Sequence, residues 1–101
     1  NRTSMYRFRI DDIIYVQSID KYVTLFLSGD QQSEAIRFKM SDMEKQLHPY
    51  GFIRIHKSYL VNYRYIKNIQ TTCVVLDSKK QLPVSRYRLD DIKVEFRRLT
   101  L

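Results

Sequence analysis

Apolar and polar residues alternate along the first part of the chain with the period of two that β-strands show. Tyr6 to Ile10 alternates in this way, and Ile13 to Val16 is a β-branched run of strand type. A break from Ser18 to Lys21 separates this run from the next alternating segment. We therefore predict two short strands followed by a loop near residue 20.

The next segment predicts a β-hairpin. Val23, Leu25 and Leu27 fall on one face of an extended strand. Ser28-Gly29-Asp30 is a turn signal, and Glu34 to Phe38 is expected to return beside that strand as its antiparallel partner.

The period then changes to that of a helix. Met43 and Leu47 lie four residues apart and share one helical face, and Pro49 ends the pattern. Ser41 and Glu44 have the spacing of a capping box, in which each side chain accepts from an orphan backbone N–H. We predict a short central helix with a packing role.

The second half of the chain predicts four more strand-like segments. These are Phe52 to Ile55, Ser58 to Ile66, Ile69 to Leu76 and Gln81 to Val84. The last two form a predicted hairpin, and Pro83 in it belongs at a sheet edge because it has no N–H to donate.

The final segment predicts a helix. Leu89, Ile92, Phe96 and Leu99 fall on one helical face, and Ser85 is the expected N-cap. The fold class expected from all these elements is mainly β, with small antiparallel sheets, a short central helix and a C-terminal helix.

Composition adds a clue about the partner. The 101 residues suit a single domain, and 18 Lys and Arg against 11 Asp and Glu give a net charge of +7. Such an excess favours a polyanion, with nucleic acid first and an anionic membrane surface second. Cys73 is the only cysteine, which agrees with a cytoplasmic location, and its apolar neighbours predict a small buried hydrophobe.

Residues that could perform catalysis or bind a metal are sparse. His56 and Ser58 suggest a hydrolase, but the chain has no Gly-x-Ser-x-Gly nucleophile turn and no orienting carboxylate nearby in sequence. His48 and His56 are the only histidines, and one cysteine cannot complete a zinc site with them. We expect no enzyme activity, no metal and no cofactor.

Three polar and basic clusters lie at breaks between predicted elements, where side chains project from a rigid frame. They are Asp20-Lys21-Tyr22, Arg54 with His56-Lys57-Ser58, and Arg86-Tyr87-Arg88. Arg and Lys donate to guanine O6 and N7, and Ser hydroxyls bind phosphates. Solvated surface charges would give the same pattern, so chemistry alone leaves both interpretations open. The tyrosines could stack on bases, but we assign most of them to packing.

Three sequence blocks resemble one known family. Phe52 to Asn62 reads Phe-Ile-Arg-Ile-His-Lys-Ser-Tyr-Leu-Val-Asn, similar to the hallmark Phe-x-Arg-Ile-His-Arg-Ser-Tyr-Leu-Val-Asn of LytTR DNA-binding domains. Leu82 to Arg86 and Asp12 to Val16 resemble two further blocks of that family. The blocks follow the family order over nearly the whole chain, which makes the resemblance highly specific.

The resemblance implies an elongated arrangement of small antiparallel sheets that binds double-stranded DNA. It implies the output domain of a two-component response regulator, with a receiver domain on its N-terminal side. Two copies would bind a promoter direct repeat and insert loops into successive major grooves. The abrupt start of the chain likewise suggests one domain of a longer protein. The alternative is a basic module that engages a protein or an anionic membrane without reading DNA sequence, whereas the main hypothesis involves no membrane.

By position, Lys57 and Arg86 match the base-contacting sites of the family, and the Asp20-Lys21-Tyr22 turn matches its third inserted loop. Further candidate DNA contacts, or supports of these loops, are His56, Ser58, Arg54 and Arg88.

Other matched positions are assigned to structure. Tyr59 is expected to pack, and Asn62 to cap local backbone. Lys57 departs from the family's usual Arg, and a lysine lacks the bidentate fork of a guanidinium. Gln17 stands where an acid is usual, and the neighbouring turn lacks the usual Gly-Asn.

Overall fold

The computed structural model describes residues 7–101, which form two antiparallel sheets and two α-helices. The first sheet contains β1 (Ile13–Ile19), β2 (Tyr22–Leu27), β3 (Gln31–Gln32), β4 (Ile36–Arg37), β5 (Phe52–His56) and β6 (Tyr59–Asn62). The second sheet contains β7 (Ile66–Ile69), β8 (Cys73–Leu76) and β9 (Gln81–Pro83). The helices are α1 (Met40–Leu47) and α2 (Leu89–Thr100). The mainly β fold class is confirmed.

Strand β1 is central in the first sheet, whose order is β3-β2-β1-β6-β5, with β4 also paired to β2. Both faces of this sheet are covered, so successive residues of its inner strands enter two different cores. Tyr15 packs with the second sheet and α2, whereas its neighbour Val16 packs with α1. The same alternation separates Val61 from Leu60 on β6.

The N-terminal strand prediction is wrong for the described residues of Tyr6 to Ile10, and Tyr6 itself lies outside them. Residues 7–9 form no strand, and Ile10–Asp12 is a 3-10 turn. The apolar side chains of this segment still pack on the core with α1, as Phe8 does. The Asp12 N–H donates to the Arg9 carbonyl at 3.0 Å, and the Tyr65 hydroxyl donates to the Asp11 carbonyl at 2.6 Å.

Capping at the helices differs from the prediction. Lys39, not Ser41, occupies the N-cap of α1, and no side-chain cap hydrogen bond forms there. Glu44 reaches away from the helix to Arg54. Ser85 begins a 3-10 turn that leads into α2, also without a side-chain cap bond. The capping box is therefore wrong, although both helices are confirmed.

Two predicted strands are each divided in the structure. The 3-10 turn Tyr63–Tyr65 separates β6 from β7, and Asn62 caps it by accepting from the Arg64 N–H at 3.1 Å, which confirms the capping role. A turn before Cys73 separates β7 from β8, and Cys73 is half-buried instead of buried. Both hairpins and the edge position of Pro83 are confirmed.

Neither helix among residues 7–101 is long and apolar enough to cross a membrane.

Gly51 closes the 3-10 turn after α1 in the left-handed conformation, with φ of 92°. A Cβ there would lie 2.5 Å from Cδ1 of Tyr63, whose N–H donates to the Gly51 carbonyl. Gly29 also has a positive φ, but a Cβ there would meet no atom within 4 Å.

We expect Gly29→Ala to lower the free energy of unfolding by about 1 kcal/mol, the cost of a left-handed alanine. Gly51→Ala should lower the free energy of unfolding by about 1–3 kcal/mol more than Gly29→Ala does, because its methyl group would overlap the Tyr63 ring. Urea denaturation of both variants measures the difference. Equal losses would show that the Tyr63 ring moves aside freely.

Candidate nucleic-acid interface

Two of the three polar clusters meet at one end of the first sheet. Because β1 and β6 are antiparallel, the turn after β1 lies beside the turn before β6. The Ser18 N–H donates to the Ser58 carbonyl at 2.9 Å and joins the two turns directly. The turn after β1 is shorter than predicted, since β1 continues to Ile19 and only Asp20 and Lys21 form it.

The third cluster reaches the same end through the segment that precedes α2. The Ser85 N–H donates to the Ile55 carbonyl at 2.9 Å, so the 3-10 turn Arg86–Arg88 begins next to the end of β5. The three turns Asp20–Lys21, Lys57–Ser58 and Arg86–Arg88 are termed the loop end below. The domain measures 41 × 26 × 23 Å.

Arg54 holds the Lys57–Ser58 turn from inside. Its Nε donates to the His56 carbonyl at 2.9 Å, and its Nη2 donates to the Lys57 carbonyl at 2.6 Å. Its Nη1 donates to Oε1 of Glu44 on α1 at 2.7 Å. Only 13% of the Arg54 side chain is exposed. The guanidinium thus fixes the turn backbone while the Lys57 side chain points into solvent.

His56 supports the same turn from its other side. Its Nδ1 accepts from the Ser58 N–H at 3.1 Å, and its ring packs edge-on against Tyr59 at 5.7 Å. Burial lowers the pKa of His56 below its ordinary value, and the charges of Lys57, Arg88 and Arg54 lower it further. The neutral ring is favoured, and since Nδ1 accepts, its proton belongs on Nε2.

Arg86 and Arg88 differ in how freely they can reach a ligand. The Arg88 guanidinium lies over the Tyr87 ring, 5.2 Å from its centroid, and its Nε donates to the Tyr87 hydroxyl at 3.2 Å. Within residues 7–101 the exposed Arg86 side chain has no hydrogen bond or ion pair. Its five N–H donors therefore remain available to a ligand.

The structure divides the tyrosines between packing and exposure. Tyr15 is buried and Tyr59 packs in the same core, where its hydroxyl accepts from Nε2 of Gln17 at 3.1 Å, so the packing role of Tyr59 is confirmed. Tyr22 and Tyr87 are exposed at the loop end, at 44% and 77%.

Two apolar side chains at the loop end were missed as candidates. Ile19, 64% exposed, ends β1 beyond the reach of either core, and its placement in a predicted break concealed it. Tyr87 lies inside the predicted Arg86-Tyr87-Arg88 cluster, but it is not among the predicted DNA contacts. Its position between two arginines was the available signal, because such a residue rarely enters a core.

Arg54 was expected among the DNA contacts, and the structure gives it an internal role. All three of its nitrogens donate within the domain. We treat it as a residue that positions the turn, while direct contacts by the other candidates at the loop end stay predictions.

Candidate metal ligands do not assemble in the described part of the chain, where no group of three His, Cys, Asp or Glu residues is placed to hold an ion. His48 directly follows the last residue of α1, with its Nε2 3.4 Å from Oε1 of Glu95.

Comparison with known proteins gives a family match over residues 3–96 to the LytTr DNA-binding domain. Sensory transduction protein LytT of Bacillus subtilis is 32% identical over 87 residues, which cover 81% of this chain and 35% of that protein. Transcriptional regulatory protein LytR of Staphylococcus aureus is 40% identical over 55 residues, 50% of this chain and 22% of that protein. The chain thus spans about a third of LytT.

A solved structure has the same fold. It is a LytTr DNA-binding domain from Bacillus cereus, which matches with a TM-score of 0.74 at 21% identity and covers 93% of this chain and 86% of its own.

Removing the Glu44 carboxylate tests the support of the turn. We expect Glu44→Ala to lower the free energy of unfolding by about 1 kcal/mol, because Arg54 loses a charged acceptor that water only partly replaces. Gln46→Ala on the same helix should stay within about 0.5 kcal/mol. Urea denaturation measures both, and NMR shifts of the Lys57 and Ser58 amides report the turn. Unchanged amide shifts would contradict the bracing role.

The lowered pKa of His56 predicts a pH-dependent stability. Between the folded pKa and the unfolded value of about 6.5, the unfolded state binds more protons, so the free energy of unfolding rises with pH. It should therefore decrease as pH is lowered from 7 through 6.5, and this contribution levels off below the folded pKa. Urea denaturation across this pH range measures the free energy of unfolding of each variant. The decrease should persist in the His48→Gln control and be absent from His56→Gln.

Proposed function

The chain belongs to the family of LytTr DNA-binding domains, and from that premise we propose that it binds promoter DNA sequence-specifically to regulate transcription. The observation that carries the proposal is the convergence of three turns, each with an exposed cationic side chain, on one end of the first sheet. Backbone hydrogen bonds join these turns, so they present one preorganised surface and lose little conformational freedom on binding.

Within this surface, Arg86 and Lys57 are proposed to read bases in the major groove. A free guanidinium donates two parallel hydrogen bonds to guanine O6 and N7, whereas Lys57 supplies a single point charge. His56 Nε2 and the Ser58 hydroxyl are suited to phosphate oxygens beside that base. The Asp20–Lys21 turn, Tyr22 at the start of β2 and Arg88 would contact the flanking DNA.

The direct-repeat arrangement is a further part of the proposal. One helical turn of DNA is about 34–36 Å long, so copies of this domain on consecutive repeats would present their loop ends to successive major grooves. We propose that two copies occupy adjacent repeats of one promoter.

We also propose that the chain is the output domain of a two-component response regulator, with a receiver domain on its N-terminal side. The support is that its relatives are named as a sensory transduction protein and a transcriptional regulatory protein, each much longer than this chain.

Selection from a randomised duplex pool tests the function. Enrichment of a repeated motif is expected, and the affinity should fall with salt at a slope of about −0.9 per neutralised phosphate. A chain that binds anionic vesicles and enriches no motif would support the interaction module instead.

On the selected duplex, Arg86→Ala should lose about 1–3 kcal/mol of binding free energy, because a guanine loses its bidentate partner. The loss on random DNA of the same length should be much smaller. Lys80→Ala, in the turn after β8 at the other end of the domain, is the control and should bind both duplexes nearly as the parent chain does. Equal losses on both duplexes would make Arg86 a phosphate contact.

A further inference from the structure

An open cavity of about 450 Å³ lies beside the Asp20–Lys21 turn, between that turn and the start of α1. Its lining includes three cationic side chains, Lys21, Arg37 and Lys39. We propose that this basic cleft, defined by these three residues, is a further binding site for DNA phosphates. The proposal rests on the proposed function and adds a fourth contact segment, the end of β4 with its connection to α1.

Backbone pairing sets the geometry of the cleft. Arg37 lies opposite Tyr22 in the β2–β4 ladder, and the Phe38 N–H donates to the Lys21 carbonyl at 3.2 Å. Phe38 packs inward on the core beneath α1. Because extended residues alternate in direction, Arg37 and Lys39 project together on the outer side, and both are exposed.

Among the described residues, the cations of the cleft lack carboxylate partners, unlike Arg54 and Arg98. Arg54 and Arg98 each lie within 3 Å of a carboxylate oxygen, at 2.7 Å and 2.9 Å. Within residues 7–101 no such ion pair forms at Lys21, Arg37 or Lys39. Three neighbouring unpaired cations repel one another, and a bound anion would relieve that repulsion.

Two acidic residues limit the charge of the cleft. Asp20 is part of its lining, and Asp42 lies in the first turn of α1. One carboxylate in the lining against three cations leaves an excess of two positive charges there. The local field therefore favours an anion, and Asp20 opposes it.

The position of the cleft favours the DNA backbone over a small free anion. Lys21 belongs both to the cleft and to the loop end, so a duplex on the loop end would continue past the cleft. The cavity is open, as a site for a passing strand requires. Phosphate contacts of this kind raise affinity and set orientation without reading sequence.

The test uses the 101-residue chain with the selected duplex and a random duplex of equal length. Arg37→Ala with Lys39→Ala should make the salt slope shallower by about 1.8, for two phosphate contacts, and weaken binding roughly 10- to 30-fold at 0.15 M salt. The ratio of the two affinities should stay unchanged. Asp20→Asn should strengthen binding to both duplexes several-fold, and this gain requires a folded protein.

Lys67→Ala with Lys80→Ala removes the same charge far from the loop end and is the matched control. If the control weakens binding as much as the cleft variant, or the cleft variant keeps the parent salt slope, the cleft is not a phosphate site. A changed affinity ratio would assign the cleft to base reading and overturn the proposal. If the cleft variant loses binding to phosphatidylserine vesicles but binds DNA as the parent chain does, the cleft is a site for lipid headgroups and the proposal is wrong.

The proposed function and the cleft fail in different ways. A parent chain that enriches no motif contradicts the function itself. A parent chain that binds its motif, together with a cleft variant that binds equally well, contradicts the cleft alone. Thermal melting of each variant confirms that the compared proteins are folded, and Arg37→Gln with Lys39→Gln replaces the alanine pair if it unfolds.

Discussion

The pairing of β1 with β6 is the constraint on which the rest of this structure depends. It joins two segments that are distant in sequence and brings the turn after β1 beside the turn before β6. A shift of this register by one residue would exchange the two faces of the shifted strand. Tyr15 or Val61 would then point into the core that α1 covers instead of the core that α2 covers. Because both faces of the sheet are buried, only one register satisfies them.

Two polar side chains hold the backbone at the opposite ends of β6. Asn62, fully buried, donates to the Ile13 carbonyl at 3.0 Å and accepts from the Arg64 N–H, so it ties the start of β1 to the end of β6. At the other end, Arg54 ties the turn between β5 and β6 to α1. A buried polar group without partners is costly, so each residue specifies its local arrangement strongly.

Within residues 7–101, the cations at and near the loop end differ from the structural arginines in what their donors contact. Arg54 donates its hydrogen bonds to groups inside the domain, and Arg98 pairs with Glu95 on α2. Lys57, Arg86 and the basic cleft leave theirs to solvent. Under the proposed function, these exposed cations would supply the contacts to DNA and Arg54 would position the Lys57 turn, because an exposed lysine on a braced turn loses less conformational freedom on binding.

The sequence by itself determined the element types, the apolar faces, the edge position of Pro83 and the family, because these follow from local periodicity and from an ordered motif. The tertiary structure decided the N-terminal segment, where Phe8 packs on the core although residues 7–9 form no strand, and the role of Glu44, which binds Arg54 instead of capping its helix. It also decided the grouping of Arg37 and Lys39 with Lys21. These outcomes depend on long-range pairing, which brings together side chains that no local pattern relates.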